Sequence, residues 1–286
     1  MYKSKKFFYD YEEEDKSVET MVPDILADPE FISLEEVIIG CWGECWDDED
    51  GAHVIIDDIV EHKEKFSHIK SLYIGDMDGE ECEISWIIQG DYSKLWEAMP
   101  QLEKLVIQGS SELELGEIEH KNLKHLEIIC GGLPREIIQS IQNAKLPSLE
   151  KLVLYIGIED YGFDGDISDI KNLVEKSDFP KLRYLGITDS EMQDEITEVV
   201  LNSKYISQIT DLNLSMGSLT DKGGQLLLEQ IPKYTNIKTL DLNYHFMSDK
   251  MMKKLEELAG VDVDVSDPQE PDEYDDEVYY YPMVTE

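Results

Sequence analysis

Four groups of side chains carry types and spacings that could do chemistry. The first is Cys41-Trp-Gly-Glu-Cys45-Trp-Asp-Asp-Glu-Asp50, two thiols four residues apart before an acidic run. Structural zinc needs four placed ligands and usually closer cysteine pairs, and Cys82 and Cys130 bring no further ligands with them. The gap also differs from the two-residue redox spacing, and the neighbouring acids would raise a thiol's pKa. The second and third groups, Asp76, Asp78, Glu80, Glu81 and Glu159, Asp160, Asp164, Asp166, resemble calcium loops loosely but lack the twelve-residue pattern with its closing glutamate. The fourth is His125 with Glu127, two places apart, a spacing that puts both on one face of a strand and permits an acid–base pair. The six histidines form no paired metal motif, no lysine backs a glycine-rich phosphate loop, and no serine sits in a nucleophile elbow. No catalytic residue, resident metal or cofactor is expected.

The elements that must position these groups come from a repeat. The pattern apolar, two variable, apolar, one variable, apolar occurs at Leu34-Glu-Glu-Val37-Ile-Ile39 and Ile69-Lys-Ser-Leu72-Tyr-Ile74. It recurs with first anchors Leu102, Leu123, Leu149, Leu182, Ile209 and Ile237, eight copies in all, at a mean spacing of about 29 residues. Within each copy the second and third anchors face one side of a short strand, and the residue between them faces the other. One such strand cannot bury its apolar face alone, whereas stacked copies can. Helical periodicity predicts helices over 52–66, 133–146, 191–205, from Thr220 through Ile231, and from Ser248 to Leu258. The unit is strand, loop, helix, return turn.

Three regions follow: an amino-terminal cap over 1–33, a repeat domain over 34–265 ending in the alternating Val261–Val265 strand, and an acidic tail over 266–286. In the cap, Phe7 to Tyr11 reads as a strand and Met21 to Leu26 as a short helix. The tail reads as flexible, with a terminal Tyr279-Tyr-Tyr281-Pro-Met-Val284 able to dock on its own domain or on a partner. Among 286 residues, 25 are basic and 64 acidic, a formal net charge of −39. A field of that sign repels nucleic acid and anionic membranes and attracts basic proteins. No apolar run is long enough to span a bilayer, the start does not continue as a signal peptide, and four irregular cysteines suit a reducing interior, so a cytoplasmic monomer is expected.

The copies, most clearly Ile209-Thr-Asp-Leu-Asn-Leu214 followed by Leu219-Thr-Asp-Lys-Gly-Gly224 and Leu226-Leu227-Leu228, resemble the leucine-rich-repeat superfamily and its long, ribonuclease-inhibitor-like branch. The whole chain is similar to a bacterial family of cytoplasmic leucine-rich-repeat proteins. The resemblance implies an α/β horseshoe or arc with parallel strands on the concave face and helices on the convex face, and it implies no chemistry. One departure is plain. Three places after the last strand anchor the superfamily has asparagine, and this chain has Trp42, Met77, Ser110, Gly131, Gly157, Ser190, Gly217 and His245, which predicts irregular turns.

By register, the concave face is apolar and aromatic in its first half and small and polar in its second. The expected reading is a non-enzymatic protein-interaction module for a basic partner, with an inhibitor or immunity-like role as one form of it. Ile38, Trp42, Tyr73, Val106, Ile129, Val153 and Tyr155 would make contact, and Glu127, Asp211 and Asp241 would supply charge. Self-coverage by the cap or the tail competes with partner binding on this face. The alternative function is an accessory scaffold with no charge-driven partner, and an unrecognised enzyme ranks behind both.

Overall fold

The computed structural model describes residues 2–10, 13, 15–274 and 277–284. Ten strands lie in chain order in one parallel sheet: β1 (Ser4–Phe7), β2 (Glu36–Ile39), β3 (Ser71–Ile74), β4 (Lys104–Gln108), β5 (His125–Ile129), β6 (Lys151–Gly157), β7 (Tyr184–Ser190), β8 (Asp211–Asn213), β9 (Thr239–Asp241) and β10 (Asp262–Asp264). The eight copies of the motif are β2 to β9, and β1 and β10 extend the sheet by one strand at each end. The second anchors Val37, Leu72, Leu105, Leu126, Leu152, Leu185, Leu212 and Leu240 stand in one pairing row, and none is more than 1% exposed. Such a row removes each leucine from water against its copies in the coils on either side, which is what makes short parallel strands stable.

The helices α1 (Val18–Ala27), α2 (Ala52–Glu61), α3 (Leu95–Ala98), α4 (Arg135–Gln142), α5 (Ile167–Lys176), α6 (Gln193–Leu201), α7 (Asp221–Gln230) and α8 (Asp249–Glu256) connect the strands. From α1 to α3 and again from α4 to α8, neighbouring helices pack on each other as neighbouring strands do, giving an α/β solenoid with an open sheet. The cap strand is Ser4–Phe7, earlier than the Phe7–Tyr11 expectation, of which Tyr11 lies outside the described residues. It pairs in parallel with β2, so the cap extends the sheet at its first edge.

Helix α5 is absent from the periodicity reading because its start lies in the second acidic loop. Those acids make the start. Asp166 caps the helix, its carboxylate accepting from the Ser168 N–H at 2.7 Å. Asp164 accepts from the Arg135 N–H at 2.7 Å, and Asp169 from Arg135 Nε at 3.0 Å. In the first acidic loop Asp78 accepts from the N–H groups of Glu80 and Glu81 at 3.0 and 3.1 Å. Between Leu102 and Leu123, where the spacing is shortest, the outer wall is instead a run of bridges, Ile88 with Ser111 and Asp91 with Glu114.

The missing asparagines are replaced piecemeal. His245, fully buried, places Nε2 3.0 Å from the Val265 carbonyl and accepts the Met247 N–H at Nδ1, 3.0 Å away. Ser110 Oγ donates to the Gly132 carbonyl at 2.7 Å. A second recurrent device stands two places after the last anchor, where Gly109, Asp189, Met216, Tyr244 and Asp267 all have positive φ, between 55° and 100°. This left-handed residue turns each of these coils out of its strand.

Of the two courses expected for the end of the tail, docking on its own domain or on a partner, it takes the first. Beyond β10, β11 (Asp272–Tyr274) and β12 (Glu277–Tyr279) form an antiparallel hairpin, and the segment after it docks on the repeats. Asp275 and Asp276 lie outside the described residues.

Candidate functional site on the concave face

The concave side carries three aligned rows. Sequence alternation identified two of them and, of the third, only His125 and Asp211; that row holds the residues just before the second anchors, Glu36, Lys104, Lys151 and Tyr184 among them. The same period-two argument finds this row, since residues two apart on a strand share a face. Omitting the rest of the row hid the cations of the site.

In the middle of the face, His125 Nε2 lies 2.7 Å from Glu127 Oε2, and Lys151 Nζ lies 3.6 Å from the same oxygen. Burial lowers the His125 pKa against the pull of Glu127. Burial works to raise Glu127, but the hydrogen bond from His125 and the charge of Lys151 outweigh it and hold the carboxyl below its usual range. The pair at neutral pH is therefore a neutral imidazole donating to a carboxylate. Lys104 pairs with Glu36 at 3.2 Å, and Lys151 sits 4.6 Å from the centre of the Tyr184 ring. Tyr73 donates to Gln108 Oε1 at 2.5 Å, and Gln108 Nε2 donates to the Met77 carbonyl at 2.6 Å. Burial raises the phenols of Tyr73 and Tyr155, so both face the groove as neutral rings.

Not every expected contact residue offers surface. Val106 and Val153 face the concave side in register with Glu127 but are only 4% and 2% exposed. Ile38, Tyr73, Ile129 and Tyr155 are half-buried. Trp42 requires correction: it is wholly inside the core, its Nε1 donating to the Asp50 carbonyl at 2.8 Å. An indole in the strand-to-helix loop packs inward because the anchors beside it leave an apolar pocket and the loop backbone supplies an acceptor.

The second half of the face is built differently. Asp211 accepts from Thr239 Oγ1 and Thr210 Oγ1, both at 2.5 Å. Asp241 accepts from the Asn243 N–H at 3.1 Å, and Asp264 from the Ser266 N–H at 2.9 Å. Asp241 and Asp264 are direct partners in the β9–β10 register. Burial, helped by that neighbouring carboxylate, raises the Asp241 pKa. Among the described residues no lysine or arginine pairs with Asp211, Asp241, Asp262 or Asp264.

The tail runs back along the left-handed turn residues of this same half. Tyr244 Oη donates to the Tyr281 carbonyl at 3.1 Å, and the Tyr280 ring meets Phe246 edge-on at 5.1 Å. Pro282 is buried. The Met283 N–H donates to the Met216 carbonyl at 2.8 Å, and the Val284 N–H to Asp189 Oδ1 at 2.7 Å. The strap thus crosses from β9 through β8 to β7. Asp189 is fully buried and its Oδ2 has no partner among the described residues. Burial pushes its carboxyl up to about 8, against the two tail N–H groups. No sequence signal marks Asp189 beyond its place in the repeat.

At the other end, the three buried thiols of Cys41, Cys45 and Cys82 meet, with Cys45 interacting with both neighbours. The long interval before Leu102 brings Cys82 back to the first coil, which spacing alone did not reveal. Among the described residues no group of three or more His, Cys, Asp or Glu side chains is arranged to hold a metal ion, and no helix is long and apolar enough to cross a membrane.

Comparison with solved structures finds a crystal structure of a protein from Bacteroides fragilis, a structural-genomics target, with 43% sequence identity and a TM-score of 0.86. The match covers 93% of this chain and 75% of that one. An internalin from Listeria monocytogenes matches at 14% identity and a TM-score of 0.39, over 87% of this chain and 66% of that one, and that likeness carries no argument. No family model matches, and no curated protein matches.

Proposed function

The chain belongs to the same family as the Bacteroides fragilis protein, and from that premise we propose that it is a non-enzymatic protein-binding module whose concave face receives a basic segment of another protein. The repeat pattern supports placing the solenoid among leucine-rich-repeat proteins of the long, ribonuclease-inhibitor-like kind. The observation that carries the reading is the set of concave aspartates: Asp211, Asp241 and Asp264, oriented by hydroxyl and backbone donors, with Asp262 beside them, none paired with a cation among the described residues. Carboxylates held in place without a counter-charge are preorganised for lysine or arginine, and a chain of this net charge draws such a partner in before contact. Half-buried Tyr73, Tyr155 and Ile129 extend the contact surface toward the first half, with Glu127 at its centre. An inhibitor or immunity-type role toward a basic toxin or nuclease is the form of this activity that fits best.

The experiment is an affinity capture from cell lysate at low salt, with the tagged full chain beside a variant carrying Asp211→Asn, Asp241→Asn and Asp264→Asn. A basic protein held by the native chain, lost by the variant and released as salt approaches physiological strength supports the reading. Capture that is indifferent to both salt and the variant favours the accessory-scaffold reading. Exposed Phe8 and Trp46, 54% and 48% accessible beside β1 and β2, are the apolar surface that reading would use.

A further inference from the structure

We propose that Cys41 and Cys45 form a peroxide-responsive thiol pair, in which a small neutral hydroperoxide oxidises Cys41 and Cys45 then closes a disulfide on it. The inference rests on the amino-terminal coil and is independent of the concave-face reading.

The geometry begins with the turn. Gly43 has φ of 108°, and the Cys45 N–H donates to the Gly43 carbonyl at 2.8 Å, so the chain folds back between the two cysteines. Both ends are held by backbone: the Cys41 carbonyl accepts the Tyr9 N–H at 2.7 Å, and the Cys45 carbonyl accepts the Ile88 N–H at 2.9 Å. The Gly43 carbonyl also accepts from Cys41 Sγ at 3.7 Å, so the Cys41 thiol and the Cys45 backbone converge on one oxygen inside this frame. Cys41 lines a cavity of about 560 Å³ walled by Phe8, Tyr9 and Trp46, whereas Cys45 is wholly buried behind it.

The pair is also divided by role. The hydrogen bond from the Cys45 thiol lowers Cys41 to about 7, against burial and the charges of Glu81 and Asp10. Cys45, hydrogen-bonded to Cys41 and Cys82 and buried, is pushed up and keeps its proton. Cys82 is lowered by the same Cys45 contact, with Glu83 opposing. A thiolate reached from a cavity and backed by a protonated thiol is the arrangement that sulfenic-acid formation and resolution need. In the first step the Cys41 thiolate attacks the peroxide oxygen, the O–O bond breaks, and with one proton the leaving group departs as water or an alcohol. In the second step the Cys45 sulfur displaces hydroxide from the Cys41 sulfenic acid, and its proton leaves with that hydroxide as water. Two thiols lose two electrons, and the hydroperoxide gains them. The acidic rim of the cavity, Asp10, Asp78, Glu80 and Glu81, selects a neutral oxidant over an anionic disulfide such as glutathione disulfide.

The test treats the full chain at pH 7 with hydrogen peroxide, blocks free thiols with an alkylating agent after unfolding, and maps peptides by mass spectrometry. Expected is a Cys41–Cys45 linked peptide forming at least about tenfold faster than any loss of free Cys130, which is fully buried with its pKa pushed up to about 12. The rate should fall as pH drops below 7, and glutathione disulfide at equal concentration should react more slowly. Cys45→Ser should trap a dimedone adduct on Cys41, and Cys82→Ser should leave the bridge forming. A Cys45–Cys82 bridge, oxidation of Cys130 in parallel, or four free thiols after peroxide would each overturn the proposal. The map of the unmutated chain decides it even where a variant fails to fold.

Discussion

The two halves of the concave face answer burial of charge in opposite ways. From β2 to β6 every charge in the central cluster has a partner on the face: Lys104 with Glu36, His125 and Lys151 with Glu127, and Lys151 again with the Tyr184 ring. From β8 to β10 the aspartates are oriented by hydroxyl and N–H donors that bring no positive charge, and the chain's own strap crosses their turns. Burial, with a smaller push from the Asp264 carboxylate one strand away, raises Asp241, so holding these carboxylates charged costs stability. A fold that neutralises one half and leaves the other charged has kept that cost where a partner can relieve it.

Four experiments bear on this contrast, from the largest expected effect to the smallest. Trp42→Ala should destabilise the chain by about 3–5 kcal/mol, because a buried indole leaves a cavity. Partner capture lost with no change in thermal stability would instead return Trp42 to the contact surface and blur the closed character of the first half. The triple aspartate-to-asparagine variant should slow association with the captured basic partner by about tenfold at low salt, with a much smaller effect near physiological salt. Glu127→Gln in the same assay should change that rate far less, since Glu127 is already paired. If the two variants behave alike, the halves are not distinct in function.

At pH 8, Asp189→Asn should raise the melting temperature by several degrees. The native carboxyl, pushed up to about 8 by burial, holds a proton that the unfolded chain has already released above its ordinary pKa. Stability therefore declines as pH rises through the window between those two values, and the amide removes the slope. The two melting curves should converge below pH 4; a constant offset at every pH would point to packing instead. The smallest effect belongs to Lys104→Met. Its ion pair with Glu36 is partly exposed, and its loss should cost no more than about 1 kcal/mol, measured by denaturant unfolding.

How much of this was legible from residue order depends on what each feature repeats. The apolar anchors recur eight times, so the strands, their register and the parallel sheet follow from alternation, and Thr220 and Ser248 sit where helix caps should, each accepting an N–H of the helix it opens. Helix α5 escaped because its cap acids looked like ligands. Trp42 reads as a contact residue by its place beside a strand end, yet a large aromatic residue there serves an edge or a core equally well by pattern. Cys82 and Asp189 were invisible for another reason: their partners, Cys45 and Val284, are brought to them by a loop and a tail that follow no period. Contacts between a repeat and something outside it leave no periodic trace.

The strap also bears on how the array comes apart. In a solenoid each coil rests only on its neighbours, so unfolding can begin at a free end and proceed one coil at a time. Here a single extended segment grips Tyr244, Met216 and Asp189 in three successive coils. The last coils therefore cannot peel away singly without first releasing the segment that ties them together. Hydrogen exchange in β7, β8 and β9 should occur as one cooperative block, giving this end of the molecule a clasp where an untied stack would fray.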